Sequence, residues 1–166
     1  MFQIKPISKD SIPSALEKAE RYRLLNEPML AESICLDILD ADPTNKQAIA
    51  TMVLAITDQF TTTSSLTDIN QAKQFVSQLT DDYDRQYYLG LIHERQGKAV
   101  LSRNNPDSVF VAYEWLKDAM DHYEKAEAIR PPGKDDAILR WNTCARLIMR
   151  HRLQPRDEKY VEQQLE

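Results

Sequence analysis

The chain has 166 residues, 42% of them apolar and 28% charged, with a formal net charge of −5. That length and balance fit one folded domain with a real core and exclude a disordered chain. The acidic sign argues against general nucleic-acid binding, and two cysteines, Cys35 and Cys144, are too few and too widely spaced for a disulfide framework or a zinc site.

Residues 1–11 read as an N-terminal extension. Met1-Phe2-Gln3-Ile4-Lys5-Pro6-Ile7 lacks the apolar run and cleavage site of a secretory leader, and no stretch is long and apolar enough to span a bilayer. The expected compartment is the cytoplasm. Ser11-Ile12-Pro13 opens a first helix that runs to about Leu25, where Asn26-Glu27-Pro28 stops it. A second helix, from about Met29 to Ala41, ends at Asp42-Pro43, and Thr44 or Asn45 caps a third, from about Lys46 to Gln59. The polar run from Thr61 to Ser65 predicts a loop, followed by a fourth helix from about Thr67 to Thr80.

A fifth helix starts near Asp82 or Asp84, acids that suit the positive end of a helix dipole, and Gly97 is its expected stop. Asn105-Pro106-Asp107 predicts another start, and the absence of a breaker before Arg130 predicts one helix of about 25 residues, or ~37 Å. Arg130-Pro131-Pro132-Gly133 ends it. A seventh helix, from about Asp135 to Arg152, precedes a polar C-terminal segment over residues 154–166. With only 3 glycines and no period-two strand run, the expected class is all-α. Both cysteines fall on expected core-facing positions and read as buried thiols.

One register recurs. Ala31, Cys35, Ile38 and Pro43 return as Ala119, Tyr123, Ala126 and Pro131, and again, without proline, as Ala72, Val76, Leu79 and Asp84. Upstream of the Ala119 register, Leu89-Gly90, His93 and Gly97 follow one another at helical spacing. On these residues the chain, from about Ile12 to Arg150, resembles a tetratricopeptide repeat protein. The resemblance implies an antiparallel helix-hairpin array over residues 12–153, a right-handed superhelix of about three repeats plus a capping helix. Small residues, Ala19, Ala31, Ala72, Gly90 and Ala119, are then where hairpins nest. The chain departs from the family pattern in an insertion from about Ala99 to Trp115 and in lacking a proline between the second and third repeats.

The resemblance also implies function: a non-catalytic scaffold or adaptor that holds a peptide or a segment of another protein in a concave groove lined by the first helix of each pair. By register, the groove residues are Glu20, Arg23, Leu54, Tyr87, Tyr88, Leu91, Glu94 and Asn142. Glu17 and Glu20 at its entrance argue against a clamp for an acidic tail. No cofactor, metal, nucleic acid or membrane is expected. A second reading is a structural subunit that self-associates or packs in a larger assembly through Phe110, Trp115 and the C-terminal segment; the two aromatics fall outside the core stripe of Val109, Tyr113, Leu116, Met120 and Tyr123. Phe2 and Ile4 are the alternative cover for those two aromatics. A third reading is a hydrolase using Glu94 and His122.

Other patterns carry less. Gly90 to Lys98 has its glycines too far apart for a phosphate loop, with Ala99 where Ser or Thr would hold Mg²⁺. His93-Glu94 lacks the second histidine of a zinc-protease helix. Arg146, Arg150, His151, Arg152 and Arg156 read as the solvated end of the array, with cations suited to a helix C-terminus.

Overall fold

A computed structural model describes residues 1–63 and 66–157, and over them the chain is helical with no strand. A 3₁₀ turn, Lys9–Ser11, leads into α1 (Ile12–Leu24), α2 (Pro28–Ala41), α3 (Lys46–Asp58) and the single turn α4 (Phe60–Thr63). Then come α5 (Leu66–Ser77), α6 (Asp82–Arg103), α7 (Ser108–Ala128) and α8 (Asp136–His151). No helix among the described residues is long and apolar enough to cross a membrane.

Local chemistry sets most of these ends. The Asn45 side chain accepts the Ala48 amide at 2.9 Å, and Asp81 accepts that of Asp84 at 3.0 Å, so each caps the helix that follows it. Pro13 and Pro28 stand in first turns, where a missing N–H costs nothing. Asn26, Asn104 and Arg152 adopt left-handed backbone just past α1, α6 and α8, which turns the chain out of each helix.

Apart from the short α4, consecutive helices pack on one another, most extensively α6 on α7, and α3 and α8 each also touch α6. The direction of the α6–α7 pair follows from its contacts. Gly90 faces Tyr123, Gly97 faces Leu116, and Val100 meets Ser108, so one helix descends as the other ascends. Ala19, Ala31, Ala72 and Ala119 are fully buried, which lets helix axes approach closely. One core cluster draws on α1 to α6 and centres on Ile49, Met52, Val53, Phe60, Val76 and Ile92; a second joins α6, α7 and α8 around Leu116, Tyr123 and Cys144. Cys35 and Cys144 are buried free thiols, and burial pushes each up to about 12.

Several boundaries differ from expectation. Gly97 does not stop α6, which continues to Arg103; it is buried against Leu116 and Trp115, so its lack of a side chain serves packing and not termination. The expected insertion is therefore divided between two helices, lengthening α6 at its end and α7 at its start. α7 begins at Ser108, past the Asn105-Pro106-Asp107 signal, because the buried Ser108 hydroxyl accepts the Asn105 amide at 3.0 Å and donates to the Val100 carbonyl at 3.1 Å. It ends at Ala128, so it is 21 residues long. Part of the expected loop after Gln59 is the helical turn α4, held down by Phe60 at 1% exposure; Ser64 and Ser65 lie outside the described residues.

Candidate functional site

Helices α1, α3, α6, α7 and α8 bring two neighbouring groups of charged and tyrosine side chains together, one on Asp58 and one on Glu94. Arg23, near the end of α1, donates from Nε to Asp58 Oδ2 of α3 at 2.7 Å. Arg95 of α6 donates to the Leu54 carbonyl at 2.9 Å, to Thr57 Oγ1 at 2.8 Å, and also to Asp58. Asp58 thus binds two arginines from different helices. Burial pulls Arg95 down from its ordinary value; Asp58 opposes that shift, while the like charges of Arg23 and Arg140 add to it.

Glu94, one residue before Arg95, is fully buried. Its Oε2 accepts the Tyr123 hydroxyl of α7 at 2.6 Å, and its Oε1 accepts Lys98 at 2.5 Å and Arg140 of α8 at 3.3 Å. A buried carboxylate is tolerable here because each oxygen is occupied by a donor. Burial followed by the Glu94 charge pushes Tyr123 far above the usual phenol range. Burial acts to lower Arg140, but Glu94 and Tyr87 outweigh it, and the guanidinium is held above its ordinary value.

Tyr87 and Tyr88 lie beside these cations, half-buried, with rings edge-to-face at 5.1 Å. Tyr87 also contacts Tyr83 and Tyr123 at centroid distances of 6.1 and 6.0 Å. Burial, with smaller contributions from Tyr87 and Asp84, pushes Tyr88 up to about 12. The face therefore sets Arg23, Arg95, Lys98 and Arg140 against the carboxylates of Asp58 and Glu94, a local cationic excess on an acidic chain.

The expected groove residues divide. Arg23, Leu54, Tyr87 and Tyr88 are partly exposed on this face, and Glu20 is exposed on α1. Leu91 and Glu94 are not available to a partner: both are fully buried, Leu91 in the helix packing and Glu94 beneath Arg140, Lys98 and Tyr123. Asn142 lines a different hollow, a cavity of about 410 Å³ between α7 and α8 walled by Glu124, Glu127, Ile138 and Trp141. Asp58, Arg95, Lys98 and Arg140 were not anticipated from the sequence. Arg95 lies seven residues after Tyr88, on the same side of α6, and that spacing was the one available signal.

Phe110 and Trp115 do not form an open patch. Trp115 is wedged between the two core clusters, with its ring 5.2 Å from His93, and the Arg156 guanidinium stands 5.9 Å over the Phe110 ring. Phe2 and Ile4 do not cover either, since they are 102% and 81% exposed. Glu94 and His122, the pair considered for hydrolysis, have different partners: His122 Nδ1 meets Gln86 Oε1 at 2.8 Å and its ring packs 5.1 Å from His93. Among the described residues, no group of three or more His, Cys, Asp or Glu side chains is arranged to hold a metal ion. Of the basic C-terminal residues, Arg146 and Arg150 stand exposed on α8 beside a cavity of about 210 Å³.

Comparison with models of protein families, with characterised proteins and with solved structures yields no match to this chain.

Proposed function

We propose that the chain is a non-catalytic protein-binding scaffold of the tetratricopeptide-like kind, holding a segment of another protein against the face of α1, α3, α6 and α8. The observation that carries this reading is the double use of Asp58, which ties Arg23 and Arg95 into one fixed arrangement across three helices. Side chains locked before binding lose little entropy on contact, which is what a recognition surface requires. The nesting of hairpins through Ala31, Ala72, Gly90 and Ala119 supports the repeat architecture.

The chemistry favours a segment carrying both acidic and apolar side chains. Arg23, Arg95, Lys98 and Arg140 outnumber the carboxylates they share, while Tyr87, Tyr88 and Leu54 offer flat apolar surface beside them. Glu20 at the edge would direct an acidic segment toward the Arg95 and Arg140 end.

The test is affinity capture with the whole chain as bait, comparing it with a Tyr88→Ala and Leu54→Glu double variant whose circular dichroism and melting temperature match the parent. The expected result is that specific captured proteins are lost with the variant and fall away as salt rises. Capture that is identical for both baits would refute the assignment of this face.

A further inference from the structure

The first hairpin has an outer face that Ile7 covers only in part. Along α2, Leu30 is 46% exposed, and Ile34 and Asp37 follow it at helical spacing. Ile34 and Asp37 line a cavity of about 210 Å³, whose other walls include Ile7, Ala15 and Lys18. Immediately upstream of Ile7, the segment Met1–Lys5 stands away from the body, with Phe2 102% and Ile4 81% exposed. Each chain thus carries an uncovered apolar segment and an unfilled apolar channel.

The two are matched in spacing and charge. On an extended backbone Phe2 and Ile4 project to the same side, about 6.6 Å apart. Leu30 and Ile34 are one turn apart on α2, about 6 Å along its axis. Residues 1–5 contain Lys5 and no acid, while α2 offers Asp37 beside the channel and Glu27 just before its first turn, with Lys18 the opposing cation on the α1 side.

We propose that the chain forms a two-fold dimer by exchanging these segments, residues 1–5 of one copy lying along α2 of the other with Phe2 and Ile4 over Leu30 and the Ile34 cavity. Ile7 anchors the segment at the mouth of its own channel, so the same residues that fix where the segment starts also mark the site it occupies on the second copy. Because both halves of the contact exist in every copy, one symmetric arrangement covers both at once and closes without leaving a free end. This surface lies apart from the cationic face proposed for partner binding.

Sedimentation equilibrium over a dilution series tests the proposal with the full chain, a Phe2→Asp and Ile4→Asp double variant, and a Leu30→Asp variant. All three substituted positions are exposed, so folding is checked by circular dichroism and is expected to be unchanged. The parent is expected to be dimeric, and each variant to shift the dissociation midpoint upward by about tenfold or more. A second measurement fixes the geometry: mixing a Phe2→Cys chain with a Leu30→Cys chain under mild oxidation is expected to give a disulfide between copies. A parent that stays monomeric at high concentration, a dimer indifferent to the variants, or a mixture of the two cysteine chains that gives no mixed disulfide would each overturn the exchange.

Discussion

Tyr123 occupies the space that a side chain on Gly90 would need. An ideal β-carbon on Gly90 would lie 2.6 Å from Tyr123 Cε1 and 2.7 Å from Cδ1. The ring cannot swing aside, because it is fully buried and its hydroxyl is bonded to Glu94. Gly90→Ala is therefore expected to destabilise the chain by about 1–3 kcal/mol despite the better helix propensity of alanine. Urea denaturation should show a lower midpoint with an unchanged slope.

Gly97→Ala provides the contrast. A β-carbon there would meet Leu116 Cγ at 3.0 Å and Trp115 Cβ at 3.3 Å, a milder conflict. Alanine returns about 1 kcal/mol of helix propensity at an interior position. The expected loss is smaller than for Gly90→Ala, and the same denaturation series ranks the two.

Tyr123→Phe keeps the ring and removes the donor. Glu94 Oε2 then faces a buried gap while Lys98 and Arg140 stay on Oε1. Leaving one oxygen of a buried charge unpaired costs about 1–3 kcal/mol. A double-mutant cycle with Glu94→Gln should show coupling well above zero, and additive losses would contradict a direct interaction.

Acid should weaken the fold through His93. Its ring packs against Trp115 and His122, Nδ1 has no hydrogen-bond partner, and Asp118 is 3.7 Å away. Burial, with Lys73 and His122 adding to it, pulls His93 from 6.5 down to about 4. The unfolded chain therefore takes up a proton at a higher pH than the folded chain. The full contribution is present above 6.5 and is lost as pH falls toward about 4, at most about 3 kcal/mol in all. His93→Phe should flatten the dependence of unfolding free energy on pH over that interval; an unaltered slope would place the effect elsewhere, with His122, also lowered by burial, the next group to substitute.

The helical class and the packing stripe of Ala31, Cys35 and Ile38 were legible because they depend on periodicity within one segment. Gly97 was misread because glycine terminates a helix or admits a neighbour according to what touches it, and Leu116 is not adjacent in sequence. The same limit hid Leu91 and Glu94, whose covering groups come from other helices. Asp58 with Arg23 and Arg95 is a meeting of three helices, and no local pattern encodes it.

Trp115 packs against the two larger core clusters, and α6 contributes Ile92 to one and Tyr83 to the other. A stack of helical pairs touching only its neighbours melts inward from whichever end is weaker. Here the indole and the helix beneath it belong to two sets of contacts at once, so neither half can loosen without stripping partners from its neighbour. Heat should find no frayed intermediate to populate, and the chain should come apart in a single step.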